Sequence, residues 1–466
     1  MNVMALRVTT ATKKDIALSM RFEPKMYSFQ ASLNHAKQRY HFCPLSEIAT
    51  DIKRGQSPKP ETYKNERTGK YIFLRTADVK KYSLSTEGVV WLDEATFKTQ
   101  KANRIQKDDL LVSVVGNYLG STSVIPSNIE LGAFNDNSAK VHIIDERYSP
   151  YFVACFFNSV FGQNLILSKC TRTGQKILSA GNLKTLEIPL IPGETVSAKA
   201  RESAELSVKS NALIRQAREL FYSRVGVDFG NVEKRKYFSV SINDFAGADL
   251  WSPAYSNPLF VDTNKALKSK WEMVSLGEIT KLTKGDEVGS DSYIGYLEKR
   301  ETDVPFIRTS DIVNYETDQY PDFYIPEETY RDIAQDIKAG DILFTKDGKI
   351  GQVGMVTEAD KAIIASGFCS LRLNKKAAEY GLTSEYLFTV LSIQEIGIYE
   401  SKRRTVVAST IPHLREDRVK EMEIPILDKA SIDEITNLVR EAFRLKAERK
   451  RLVADVRKTI DSYFDI

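Results

Sequence analysis

Polar and basic clusters stand at matching places in the two halves of this chain. In the first half they are Lys53-Arg54-Gly55-Gln56-Ser57-Pro58-Lys59, then Arg75-Thr76, then Ser113 to Tyr118 including Asn117, then Arg172-Thr173-Gly174-Gln175-Lys176. In the second they are Lys284-Gly285, Arg308-Thr309-Ser310, Thr345-Lys346-Asp347-Gly348-Lys349 and Lys402-Arg403-Arg404-Thr405. Arg and Lys pair with phosphates or with a guanine edge, Gln and Asn suit adenine, and Ser or Thr serves either. One such loop is usually a solvated surface. Four in each of two halves point to a surface that reads double-stranded DNA.

Signatures of bond-making chemistry do not accompany these clusters. Gly348, Gly351 and Gly354 have the spacing of a tight hairpin and match neither phosphate-binding glycine pattern. His35, His41, His142 and His413 show no metal-ligand spacing with one another or with a cysteine. Cys43, Cys155, Cys170 and Cys369 stand far apart, which reads as four reduced, buried thiols. Asn257-Pro258-Leu259-Phe260 is a weak echo of an amino-methyltransferase loop, lacking its second proline and any glycine-rich cofactor strand. The expectation is a non-catalytic chain with no metal and no cofactor of its own.

The 466 residues suggest roughly three structural units. Sixty-six Lys plus Arg against 62 Asp plus Glu leave a formal charge of +4, so any hold on nucleic acid must come from local patches. Arg7, Lys13, Lys14 and Asp15 interrupt the apolar stretch that a signal peptide requires, and runs such as Tyr151 to Phe157 are far too short for a membrane span. A cytoplasmic location with no membrane contact is expected.

The clusters are placed by an internal repeat. Phe73-Leu74-Arg75-Thr76-Ala77-Asp78-Val79 recurs as Phe306-Ile307-Arg308-Thr309-Ser310-Asp311-Ile312. Leu45-Ser46-Glu47-Ile48 recurs as Leu276-Gly277-Glu278-Ile279, Asp109 to Ser113 as Asp341 to Thr345, and Glu187-Ile188-Pro189-Leu190 as Glu423-Ile424-Pro425-Ile426. Offsets lie between 231 and 236 residues and the order is kept. Between these marks the pattern reads as short strands, for example Tyr71 to Leu74 and Asp109 to Val115, interrupted by apolar helices from Tyr151 and Tyr386.

After each Ile-Pro closing the pattern turns helical. Leu206, Leu213 and Leu220 are spaced by sevens, as are Leu438, Leu445 and Leu452. Such a stripe can pack on its own domain, but its recurrence within the repeat favours helix pairing. About 28 helical residues span about 40 Å, so an antiparallel pair could act as a ruler between two heads. The expected fold is α+β, with two repeated mixed heads, each followed by a long helix, the two helices pairing as an antiparallel coiled coil. The boundaries read as a leader at 1–40, a first head at 41–192, a helix at 193–225, a connection at 226–270, a second head at 271–427 and a helix at 428–466. Gln56-Ser57-Pro58-Lys59 faces Asp286-Glu287-Val288-Gly289, so scaffold residues recur while loop residues differ. Two different half-sites are expected.

These marks, with Gly340-Asp341-Ile342-Leu343 and the Ile-Pro closings before long helices, resemble the DNA specificity subunits of type I restriction-modification systems. The resemblance runs over nearly the whole chain. Gln56-Ser57-Pro58 is similar to that family's loop opening, whereas Asp286-Glu287-Val288 departs from it. The resemblance implies two target recognition domains reading a bipartite, asymmetric site, with paired helices setting the spacing. It also implies modification (methyltransferase) subunits that use S-adenosylmethionine, and restriction/translocase subunits that use ATP and Mg. Other readings are a recognition or scaffold subunit of a different phage-defence complex, and a self-sufficient nuclease.

Overall fold

A computed structural model describes residues 24–171, 174–232, 237–242, 250, 252–407 and 412–464. Two compact units divide it, one of residues 1–202 with 452–466 and one of residues 203–451. The boundaries between them fall within the long helices at 194–225 and 429–463.

The first unit opens with α1 (Pro24–Arg39) and β1 (His41–Pro44), followed by β2 (Ala49–Arg54), β3 (Tyr71–Leu74), β4 (Val90–Leu92), β5 (Leu110–Ser113), β6 (Thr122–Val124), β7 (Gly132–Phe134) and β8 (Ser138–Ile143). Helices α2 (Pro150–Asn158) and α3 (Val160–Ser168) precede β9 (Glu187–Leu190) and α4 (Glu194–Val225). One sheet has the antiparallel order β2-β8-β5-β6. In the other, β3 lies between antiparallel β4 and parallel β7. Leu110, Leu111 and Val112 are fully buried, as a continuous apolar run inside a sheet covered on both faces requires.

The second unit contains α5 (Pro258–Lys268), β10 (Met273–Ser275), β11 (Thr280–Lys284), β12 (Val304–Ile307), β13 (Phe323–Ile325), β14 (Ile342–Thr345), β15 (Val353–Met355), β16 (Ile363–Ile364) and β17 (Phe368–Leu373). Then come α6 (Ser384–Ser392), α7 (Tyr399–Arg404), β18 (Glu423–Pro425) and α8 (Lys429–Tyr463). Its sheets follow the same orders, β11-β17-β14-β15 antiparallel, and β12 between antiparallel β13 and parallel β16. In each unit the closing strand pairs with the opening one, β1 with β9 and β10 with β18.

The leader and the connection hold helices that the sequence reading left unassigned. Phe29 of α1 meets Phe161 at 5.2 Å between ring centroids, and Phe260 of α5 meets Tyr399 at 5.1 Å. Lys37 at the end of α1 pairs with Glu187 at 2.7 Å, and Lys268 at the end of α5 pairs with Glu423 at 2.7 Å. Each leader helix is thus tied to the Glu that opens its Ile-Pro strand. Among its described side chains, α1 buries Leu33 and Ala36 and half-buries Phe29, a thin local apolar signal.

Within the second unit, α4 and α8 bury a stripe of Ile214, Ala217, Phe221 and Val225 with Ile432, Ile435, Val439 and Ala442, the three-and-four spacing of an amphipathic helix. Leu445 is buried, whereas Leu206, Leu213, Leu220, Leu438 and Leu452 are half-buried along the flanks. Lys446 donates to Asn211 Oδ1 at 2.8 Å and Arg224 pairs with Glu434 at 2.9 Å, so numbers rise along one helix as they fall along the other. In the first unit the tail of α8 stacks Phe464 on Phe161 at 4.2 Å, and Lys199 pairs with Asp455.

The apolar stripe of α8 gives way to buried charge. Lys446, Arg449 and Lys450 lie 3.5, 3.4 and 3.4 Å from the Glu316 carboxylate, and all four side chains are buried. Lys450 also donates to Thr317 Oγ1 at 3.0 Å and pairs with Asp360 at 2.5 Å. Burial alone would raise the Glu316 carboxyl, but Arg449, Lys446 and Lys450 outweigh it and hold the group down at about 2. A carboxyl lowered from 4.5 contributes stability that is complete above pH 4.5 and is lost as pH falls from there towards 2. Glu316→Gln should cost roughly 3 kcal/mol at neutral pH and flatten this part of the acid-unfolding curve, measured by chemical denaturation between pH 7 and pH 2.5. An unchanged curve would show that the cluster contributes nothing.

Candidate nucleic-acid interface

One loop in each unit gathers basic clusters, though Lys402 to Thr405 of the second unit is held elsewhere, through Tyr255 and Glu400. In the first unit this is Asn135-Asp136-Asn137, between parallel strand β7 and antiparallel strand β8. The Gly55 amide donates to the Ser138 carbonyl at 3.2 Å, Arg54 Nε donates to the Asp136 carbonyl at 2.8 Å, and Ser57 Oγ donates to Asp136 Oδ1 at 2.7 Å. Thr76 Oγ1 donates to Asn135 Oδ1 at 3.3 Å, and the Asn135 amide donates to the Leu74 carbonyl at 3.0 Å. On the other side the Val114 amide donates to the Asn137 carbonyl at 2.9 Å, and the Leu178 amide donates to the Val114 carbonyl at 2.9 Å. Segments 53–59, 75–76, 113–118 and 174–178 are thereby held to one hub.

The second unit uses Ala365-Ser366-Gly367 in the same place, between β16 and β17. The Gly285 amide donates to the Phe368 carbonyl at 3.1 Å, Ala365 to Ile307 at 2.9 Å, Lys346 to Gly367 at 2.8 Å, and Leu414 to Lys346 at 2.8 Å. Ser366 Oγ donates to Glu287 Oε1 at 3.1 Å. Neither hub was singled out from the sequence. The available signal was polar Asn135 to Ser138 after an apolar strand, but it shares no side chains with Ala365 to Phe368.

Individual side chains fall into three groups. Gln56, Lys59, Asn117, Gln175, Lys176, Lys284, Lys349 and Lys402 are exposed. Arg75 and Arg308 are half-buried and bound locally. The Arg75 amide and Nε donate to Asp78 Oδ2 at 2.8 and 3.3 Å, and those of Arg308 donate to Asp311 Oδ2 at 2.9 and 3.3 Å. In both the shared Asp folds a tight turn and aims the guanidinium. Thr309 and Ser310 are half-buried on the second turn, and Ser310 donates to Asp311 Oδ1 at 3.1 Å. Lys53 pairs with Asp51, where burial would raise the carboxyl but hydrogen bonds from Lys140 and Lys53 hold it below its ordinary range. Tyr118 is half-buried, with the Lys80 ammonium 3.9 Å from its ring centre.

The remaining candidates face inward. Ser113 and Thr345 are fully buried, and buried Lys346 lies 3.5 Å from Asp347 and 3.3 Å from Glu416. Arg403 donates to the Tyr255 carbonyl at 3.0 Å, and buried Arg404 pairs with Glu400. Arg172 and Thr173 lie outside the described residues. Among the described residues no group of three His, Cys, Asp or Glu could hold a metal ion, and no single helix is long and apolar enough to cross a membrane. The arrangement offers amide, hydroxyl and cationic groups on fixed loops, which suits base edges and phosphates.

Residues 268–435 match the family described as the type I restriction modification DNA specificity domain. No curated protein matches the chain. Among solved structures it is similar to the S subunit of a type I restriction-modification system from M. genitalium, at 14% identity over 91% of this chain and 95% of that one, with a TM-score of 0.33. It is also similar to the HsdS subunit from Thermoanaerobacter tengcongensis, at 15% identity over 91% and 95%, TM-score 0.28. The type IIG restriction endonuclease BpuSI aligns at 9% identity over 72% of this chain and 42% of its own, TM-score 0.28.

The approach of loop to hub depends on glycine. A methyl on Gly55 would sit 2.4 Å from the Phe134 and Asn135 carbonyl oxygens, and one on Gly285 would sit 2.1 Å from the Ala365 oxygen, whereas one on Gly289 would meet nothing. Gly55→Ala and Gly285→Ala should each destabilise by roughly 1–3 kcal/mol, visible in calorimetry as a lowered Tm, with Gly289→Ala near wild type. Equal Tm values for all three would mean that the loops are not seated on the hubs.

Proposed function

We propose that the chain is the specificity subunit of a type I restriction-modification assembly and that it reads a bipartite, asymmetric DNA site. Residues 41–192 and 271–427 act as two target recognition domains, and α4 and α8 pair as an antiparallel coiled coil that sets the spacing of the half-sites. Modification subunits carrying S-adenosylmethionine and restriction/translocase subunits carrying ATP and Mg are the partners, and the present chain directs them to the site.

The observation that carries this reading is the gathering of polar and basic loops onto one hub in each unit, with the same strand order around it and different side chains on it. Asn135-Asp136-Asn137 faces Ala365-Ser366-Gly367, and Gln56-Ser57 faces Asp286-Glu287. A reader of a palindrome needs the same side chains twice; a reader of two unlike half-sites needs the same frame and different tips. Gln56, Asn117 and Gln175 suit base edges, and Lys59, Lys176, Lys284, Lys349 and Lys402 suit phosphates. Arg75 and Arg308, aimed by their aspartates, serve either.

Lys59→Met and Lys176→Met should weaken binding about equally for all sequences and lower the salt-dependence slope by about 1 each, measured by titrating the assembled complex with its DNA at several salt concentrations. A change in base preference without a change in slope would reassign them as base readers. Methylation sequencing of the host genome, with and without this gene, should show one split adenine motif disappearing on deletion. An unchanged methylome in an expressing strain would reject the specificity role in favour of a different defence complex.

A further inference from the structure

The buried charge on α8 interrupts a helix whose buried stripe is otherwise mainly apolar. Lys446, Arg449 and Lys450 are 0%, 4% and 1% exposed, three cations against the two carboxylates of Glu316 and Asp360. Each is aimed at a specific acceptor, Lys446 at Asn211 of α4, Lys450 at Thr317, and all three at Glu316. Gln319 Nε2 donates to the Lys450 carbonyl at 2.8 Å. Glu316 and Thr317 lie on the hairpin directly after the Arg308–Asp311 turn. One cluster therefore joins three parts of the second unit, namely α4, α8 and the hairpin behind a recognition turn.

Aliphatic and small side chains at three-and-four spacing accept more than one register, since sliding by a turn replaces one Ile or Ala contact with another. A slip here would leave three buried cations without acceptors, which is strongly unfavourable, and buried polar groups are best attested as setters of register. We propose that Asn211, Glu316, Lys446, Arg449 and Lys450 form a register lock, positioning residues that allow α8 only one axial setting against α4 and the recognition hairpin. That the lock sets the spacer between half-sites rests on the function proposed above. The position of α8 itself can be tested without DNA.

Spin labels at Lys209→Cys on α4 and Asn437→Cys on α8, both exposed positions, report the axial setting in the full chain. Cys43, Cys155, Cys170 and Cys369 are buried, and burial pushes the Cys155 and Cys369 thiols up to about 12, so they should escape labelling. The locked chain should give one distance. Glu316→Leu with Lys446→Met, Arg449→Met and Lys450→Met removes the three cations together with the carboxylate they share, and such apolar replacements of a whole cluster are commonly well tolerated. This variant should stay folded by thermal unfolding yet show a second distance displaced by about 5 Å, one helical turn. A folded variant with only the original distance would overturn the lock. If this variant does not fold, Asn211→Leu with Lys446→Met decides in the same way. In cells, a variant with two distances should methylate sites whose spacer differs by about one to two base pairs, at least about tenfold above wild type. Loss of that effect with the second distance intact would sink the reading of α8 as a ruler and leave the lock standing.

Discussion

Backbone hydrogen bonds from one short loop in each unit hold most of the segments that the surface could use. Asn135 to Ser138 accept or donate through main-chain groups to segments that lie tens of residues apart, at Gly55, Leu74 and Val114, and Phe368 with Ala365 and Gly367 does the same for Gly285, Ile307 and Lys346. Main-chain pairing is indifferent to side-chain identity, apart from the need for glycine at Gly55 and Gly285, where a Cβ would collide with a hub carbonyl oxygen. This is why the tips can differ between units while the frame does not, and side chains on such a frame are free to vary with the target.

The same economy appears in the turn that presents each arginine. Asp78 and Asp311 accept from the amide and the Nε of the arginine three residues earlier. The carboxylate satisfies a backbone donor at the turn and restricts the guanidinium to fewer conformations. Lys446, Arg449 and Lys450 illustrate the opposite use of charge, spent inside where the partners must be met in one geometry only. Surface charge confers adaptability and buried charge confers uniqueness.

The recurring blocks around Phe73 and Phe306, Leu110 and Ile342, and Ile188 and Ile424 were visible as strands because their apolar runs are short and complete in themselves. The long helices were visible for the same reason, through spacing alone. The heptad leucines nevertheless mark the flank of the helical stripe more than its centre, since only Leu445 of the six is buried. Period-seven spacing and the burial stripe diverge when a helix meets neighbours on more than one side, as α8 does with α4 and the Glu316 hairpin.

What the sequence by itself determined were the features carried by near neighbours: strand runs, the helices from 194 and 429, and the Arg-Thr-x-Asp turns, whose bonds close over three residues. The matched order of the basic clusters also belongs here. Tertiary structure alone decided which loop gathers them, which of the basic residues face solvent, and that Thr345, Lys346 and Arg404 are inside. The leader helices, fastened through Lys37 to Glu187 and Lys268 to Glu423, and the charged centre of α8 were decided at the same level. In each of these the partner is supplied by a distant segment, and side-chain type or spacing along the chain carries no record of a contact that exists only once the sheets have closed.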